Sequence, residues 1–204
     1  YKTGRCGGRG GRCDLSCVFP SDGGKDLRRM ERILLHICCG PCSLSCIDEL
    51  QREFPGAITG YYANPNIHPY DELLRRQGSA RAACAAKGIL LLTENTYDFA
   101  GWAGFKSSRA ERCKMCYTVR ASLTAQKAAE LNCRYFTSTL FVSPYQDHEA
   151  LREAFLQAAQ ETGTEFLYRD FRPGFAEGRR QARELGLYRQ KYCGCIKSFY
   201  GESP

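Results

Sequence analysis

Apolar residues along this chain follow two alternating rhythms. Short apolar or β-branched runs lie at positions 33–37, 57–63, 89–92, 135–142 and 165–171, separated by longer segments whose apolar residues recur three and four apart. The first run (Ile33, Leu34, Leu35, Ile37) predicts a buried strand. It leads through a turn with Gly40 and Pro41 into a helix carrying Cys46, Ile47 and Leu50. The second run ends in the turn Asn64-Pro65-Asn66 and is followed by a helix with Pro69 in its first turn, Asp71 and Glu72 near its positive end, and Leu73, Leu74, Ala80 and Cys84 on its apolar side. Gly88 stops that helix, and the third run, 89–92, reads as a strand buried on both faces. An irregular loop over 97–108 contains Trp102, and a third helix starts near Cys113 and carries Val119, Leu123, Ala128 and Leu131. The fourth strand, 135–142, ends at Ser143-Pro144. A helix with Leu151, Phe155, Ala158 and Ala159 then runs to Gly163, the fifth strand spans 165–171, and a weaker helix closes at Leu185-Gly186. This β-α alternation predicts an α/β fold: a mainly parallel, Rossmann-like open sheet flanked by helices, with ligand chemistry at the carboxyl ends of the strands.

The length, 204 residues, suits one domain with an appendage. Residues 1–29 are rich in Gly and Arg and poor in large apolar side chains, which reads as a flexible N-terminal extension, leaving 30–204 as a single α/β metal-binding domain. The formal charge of +7 divides between them: Lys2, Arg5, Arg9, Arg12, Lys25, Arg28 and Arg29 against Asp14, Asp22 and Asp26 give the extension +4, so the rest carries +3. That balance permits nucleic-acid binding without requiring it. No apolar run is long enough to span a membrane and no signal-peptide pattern is present, so a cytoplasmic protein is expected.

Cysteine changes the picture most. There are thirteen, and most fall in short-range groups, a pattern that favours metal binding or redox chemistry over a disulfide scaffold. Cys38, Cys39 and Cys42 occupy the turn after the first strand; Cys113 and Cys116 form a C-x2-C pair at a helix start; Cys193 and Cys195 flank Gly194 near the end. Seven thiols exceed what one four-coordinate ion can use, which leaves an iron-sulfur cluster with a second metal, a cluster plus redox thiols, or two zinc sites. Were the first strand to continue through Cys38 and Cys39, their thiols would face opposite sides; a turn would bring them together. Cys46, Cys84 and Cys133 fit core positions, and Cys6, Cys13 and Cys17 are either a further metal site or part of a mobile tail.

Other polar candidates share the predicted rim. Asn64, Asn66 and His68 follow the second strand, where they either read a heterocycle or hold a turn, while His36 and His148 fit structural roles. Asp98 is a candidate proton donor, with helix or loop capping as the alternative. Tyr61, Tyr62, Trp102, Tyr117, Tyr188 and Tyr192 could stack on bases or fill the core, and Arg109, Arg112, Arg120, Arg189 and Lys191 could meet phosphates.

Five ordered segments, LLHICCGPCS, YYANPNIHPYDE, ERCKMCYTVR, FTSTLFVSP and LYRQKYCGC, resemble the signature of the epoxyqueuosine reductases of the QueH type over about residues 32–199. The resemblance implies an iron-sulfur enzyme of tRNA modification that reduces epoxyqueuosine to queuosine at the wobble position of the anticodon. It implies a 4Fe-4S cluster with an adjacent mononuclear iron, no cobalamin, and an external electron donor. By motif match, cluster and iron ligands come from Cys38, Cys39, Cys42, Cys113, Cys116, Cys193 and Cys195, with Cys42 replaced by aspartate in some members. In that scheme the iron acts as a Lewis acid toward the epoxide oxygen and Asp98 or a nearby acid supplies a proton.

The tail with its three cysteines falls outside the resemblance, and Gly174 and Gly178 weaken the last helix enough that it reads equally as a loop closing over RNA. Two other readings compete. A tRNA thiolation-type enzyme would need a phosphate loop of SGGxDS type where CCGPC stands, and a zinc-stabilised RNA-binding module would need no redox chemistry at all.

Overall fold

The computed structural model describes residues 31–95 and 97–201. The extension and its Cys6, Cys13 and Cys17 lie outside the described residues. Five parallel strands, β1 (Ile33–His36), β2 (Ile58–Tyr62), β3 (Leu90–Thr93), β4 (Tyr135–Ser138) and β5 (Glu165–Phe166), form one sheet in the order β3-β2-β1-β4-β5. The α/β expectation holds. Helices α1 (Gly40–Glu53), α2 (Tyr70–Ala86) and α6 (Phe175–Glu184) pack together as one layer, and α4 (Arg109–Glu130) packs on α5 (His148–Thr162) as another. Two short helices, α3 (Phe99–Gly104) and α7 (Ile196–Phe199), pack on each other. Ile33, Leu34 and Leu35 of β1 and Phe136 of β4, with Phe155 of α5 against them, are all inaccessible to solvent, and polar His36, Thr137 and Ser138 are buried at the ends of the same two strands.

Chain order reverses between β1 and β4, so the loops leaving these two neighbours run to opposite sides and open a crevice at their carboxyl ends. Cys38 sits at the mouth of that crevice. Its backbone N–H donates to Thr139 Oγ1 at 3.1 Å, tying the loop after β1 to the loop after β4.

Several elements differ from the sequence expectation for identifiable reasons. β3 is an edge strand with Leu90 45 % exposed, not a strand buried on both faces. β4 stops at Ser138, whose hydroxyl accepts from Leu140 N at 3.1 Å and turns 139–142 into a 3-10 helix. β5 is cut to two residues. α4 begins four residues before Cys113 because Ser108 and Glu111 form a capping box. Within 97–108 the chain forms α3 where an irregular loop was expected. Leu74 faces solvent, and the buried side of α2 instead includes Glu72 and Arg76.

The segment expected as a weak helix or a loop is the helix α6, with Gly174 as its N-cap and Gly178 within it. A Cβ on Gly178 would lie 2.9 Å from the Pro41 carbonyl oxygen, and one on Gly174 would lie 2.9 Å from Ser45 Cβ. The two glycines that weaken the helix in isolation let α6 lie directly on α1.

Candidate metal centre

α1 brings three thiols together. The turn between β1 and α1 places Cys39 at the N-cap with extended backbone and starts the helix at Gly40-Pro41. A Cβ on Gly40 would come within 2.7 Å of the Ser79 carbonyl carbon, so the first turn of α1 can press on α2 only with glycine there. The sulfurs of Cys38, Cys39 and Cys42 all lie within 4.8 Å of one another, with Cys38 and Cys39 sulfurs 3.8 Å apart. The turn, not the strand, governs these two side chains, and they face one centre.

Hydrogen bonds from Cys39 and Cys42 hold the Cys38 thiol well below the ordinary range; burial opposes this, and Thr139, whose hydroxyl stands 3.3 Å from the sulfur, reinforces it. Burial and the neighbouring Cys38 push the Cys39 thiol up, and the Cys38 and Cys39 contacts push up Cys42. Burial and mutual repulsion keep three such thiols from ionising together. A metal ion would draw off the remaining protons.

A second group stands on α4 and the C-terminal segment. Cys113 and Cys116 lie three residues apart on the second turn of α4, one face of the helix, as a direct consequence of the cap at Ser108. Burial pushes Cys116 up to about 11, against the pull of Arg120 and with the added repulsion of Cys193, Cys113 and Cys195. Burial also raises Cys113, with Cys193 and Cys195 contributing. Among the described residues only Cys38, Cys39 and Cys42 bring three ligand atoms within 4.8 Å of one another; Cys113, Cys116, Cys193 and Cys195 do not close to that spacing. Cys195 is the N-cap of α7 and half-buried, whereas Cys193 is exposed with its sulfur 3.2 Å from Ser198 Oγ.

Two side chains donate to these sulfurs: Gln190, which the sequence did not single out, and Arg120, which was expected to meet phosphate. Gln190 Nε2 lies 2.9 Å from Cys39 Sγ, and Arg120 Nη2 lies 2.9 Å from Cys116 Sγ. Arg120 is 4 % exposed, so it faces a thiol and not a phosphate. Donors aimed at sulfur stabilise thiolate and tune any metal it binds. The trio Cys38, Cys39 and Cys42, close-set, largely buried and met by the Gln190 donor, could hold a metal ion, and sulfur donors of this kind suit iron-sulfur chemistry and zinc alike.

The other candidates take varied places. Asn64 Nδ2 donates to Ile37 O at 2.9 Å, fixing the loop after β2 against the end of β1. His36 bonds Ser138 across the β1–β4 boundary at 2.9 Å, and burial lowers its pKa to about 4. His68 is 1 % exposed, neither ring nitrogen has a hydrogen-bond partner, and its ring packs 5.1 Å from Tyr97 and 6.0 Å from Phe99. Asp98 caps α3, accepting from Gly101 N at 3.0 Å, and is exposed. Cys46, Cys84 and Cys133 are buried in the core. Tyr61, Tyr62, Trp102 and Tyr117 are also buried, which removes them as stacking surfaces for a base; exposed rings include Tyr70, Phe99, Tyr145, Phe199 and Tyr200.

Among known proteins, the family model described as epoxyqueuosine reductase QueH matches residues 33–200. The chain is 37 % identical over 170 residues to the epoxyqueuosine reductase QueH of Dehalococcoides mccartyi, covering 83 % of this chain and 93 % of that protein. It is 32 % identical over 179 residues to the protein of the same description from Streptococcus pyogenes serotype M1, covering 80 % and 69 %. Among solved structures, a deacetylase of teicoplanin biosynthesis aligns with TM-score 0.50 at 14 % identity, over 76 % of this chain and 83 % of that one, a likeness of fold alone.

Proposed function

The chain belongs to the epoxyqueuosine reductase QueH family, and we propose that it is an iron-sulfur oxidoreductase that converts epoxyqueuosine to queuosine at the wobble position of tRNA, without cobalamin. The observation that carries this reading is the convergence of the Cys38, Cys39 and Cys42 sulfurs within 4.8 Å of one another just after β1, with Cys113, Cys116, Cys193 and Cys195 proposed as the further ligands. Cys38, Cys39, Cys113, Cys116, Cys193 and Cys195 would hold the 4Fe-4S cluster and, with Cys42, the adjacent mononuclear iron. When bound, the pair supplies electrons from an external donor and a Lewis acid for the oxygen.

Converting an epoxide to an alkene takes two electrons and two protons and releases water. The protein's own residues must therefore deliver protons and exclude bulk solvent. Asp98, at the head of α3, is the proposed proton donor; α3 packs on α7, which Cys195 caps. Exposed Arg109, Arg189 and Lys191, with the rings of Tyr70, Phe99, Phe199 and Tyr200, supply phosphate contacts and stacking surfaces for an anticodon loop.

The test is anaerobic turnover of epoxyqueuosine-containing tRNA with a chemical reductant, followed by nucleoside mass spectrometry. Queuosine formed without added cobalamin supports the reading, and no conversion by protein loaded with iron and sulfide refutes it. Asp98→Asn is expected to lower turnover and shift its pH profile; full turnover with an unchanged profile would remove Asp98 from the mechanism.

A further inference from the structure

The C-terminal segment that carries Cys193 and Cys195 contains little regular structure, yet it is seated on a buried ion pair of α2. Glu72 and Arg76 are 3 % and 2 % exposed and bond each other at 2.7 Å. Both then reach outward to the same segment. Arg76 Nη1 donates to Cys193 O at 3.0 Å and Nη2 to Tyr192 O at 2.9 Å, while the guanidinium lies 5.2 Å from the centre of the Tyr192 ring. Glu72 Oε2 accepts from Tyr188 OH at 2.6 Å. Ser79 Oγ, one turn further along α2, donates to Tyr188 O at 3.1 Å.

The loop after β2 completes the seat. His68 N donates to Gly194 O at 2.9 Å, and Tyr192 OH donates to His68 O. Gly194 has φ +104, and a Cβ on it would stand 3.0 Å from both Arg76 Nη1 and Ile67 Cγ1. Only glycine combines that backbone conformation with so close an approach to the guanidinium.

We propose that Glu72 and Arg76 are positioning residues that dock the segment 188–195 and thereby set the thiols of Cys193 and Cys195 against those of Cys113 and Cys116. Desolvating a charged pair this completely is costly, and beyond a 4.0 Å approach of Arg75 to Glu72 the hydrogen bonds the pair makes to others go to backbone carbonyls and a tyrosine hydroxyl of one segment. Arginine suits the task because its planar fork reaches two successive carbonyls while its third nitrogen stays on the glutamate. Docking and metal binding are then linked, since each requires the ordered segment and each stabilises it.

The inference rests on the reading of Cys193 and Cys195 as metal ligands, so the test separates the two. Full-length protein and the variants Arg76→Met, Arg76→Lys, Glu72→Gln, Tyr188→Phe and Gly194→Ala are purified without oxygen. Iron, acid-labile sulfide and the cluster EPR signal are measured, and tryptic cleavage at Arg189 and Lys191 is followed by mass spectrometry with and without added iron and sulfide. Arg76→Met is expected to be cut about tenfold faster in the segment and to lose about half or more of its sulfide, Tyr188→Phe and Gly194→Ala to follow in the same direction, and Arg76→Lys to recover part of the loss. Wild-type cleavage rates and wild-type sulfide in Glu72→Gln, Gly194→Ala and Tyr188→Phe would overturn the proposal, even if Arg76→Met fails to fold. A merely structural pair would lower the melting temperature while leaving the EPR signal per chain unchanged. If the unaltered protein binds no iron or sulfide, the ligand reading fails by itself, and the cleavage ratio still decides whether the pair docks the segment.

Discussion

At the scale of single residues, Cys38 is the thiol on which most contacts converge. Its sulfur lies 3.8 Å from that of Cys39 and accepts from the Thr139 hydroxyl at 3.3 Å, and its own N–H donates to the same threonine. Thr139→Val keeps the shape and removes both bonds; it is expected to destabilise the fold by about 1–3 kcal/mol, because the Cys38 N–H is left buried without a partner. Denaturant unfolding of the metal-free protein checks this. Cys84 gives a pH test away from the site. Burial in the core pushes its thiol up to about 12, so the folded protein keeps a proton that the unfolded chain gives up near 9. Its contribution is intact below pH 9 and is lost as pH rises from there toward 12, with a slope approaching about 1.4 kcal/mol per pH unit. Unfolding measured across that range should show the decline, and Cys84→Ala should make it shallower.

At the scale of elements, α1 and α4 each deliver cysteines from the first or second turn, and each does so through its start signal. For α1 the start is the CCGP turn, legible in the sequence because an apolar run ends there and Gly-Pro follows. For α4 it is the Ser108–Glu111 box, present in the sequence as S-x-x-E, although the cysteines alone suggested a later start. Ser108→Ala is expected to cost about 1 kcal/mol and fray the turn below Cys113, measurable as a lower melting temperature of metal-free protein. α6 shows the converse: Gly174 and Gly178 counted against a helix when only propensity was weighed, and their purpose became apparent from the contact with Pro41 and Ser45. Gly178→Leu is expected to destabilise by about 1–3 kcal/mol by driving α6 off α1. Grouping of the cysteines was likewise readable from spacing. The Gln190 donor and the docking of the C-terminal segment on Arg76 were not, since those partners lie 151 and 117 residues away and only the folded chain joins them, while the Arg120–Cys116 contact sits one helical turn apart and was passed over for a phosphate role. β3 and β5 were misjudged in burial or length because an apolar run does not state whether its strand lies at an edge.

At the scale of the whole molecule, strand order produces one crevice, and the loops and helices around it bring together chain positions from 38 to 195. Among the described residues no helix is long and apolar enough to cross a membrane. The rim instead offers exposed rings and basic side chains, and RNA binding through them should weaken steeply with salt. Phe99→Ala combined with Tyr200→Ala should weaken binding of an anticodon stem-loop by about tenfold in a fluorescence assay, at unchanged salt slope, because stacking and not charge is removed. Whether the clustered thiols form a redox metal centre is decided by iron, zinc and acid-labile sulfide analysis with a visible spectrum on anaerobically purified protein. Brown protein with both iron and sulfide, and iron in excess of sulfide, is the predicted result. Colourless protein holding zinc alone, even after anaerobic incubation with iron and sulfide, would contradict it and leave a zinc-stabilised RNA-binding protein.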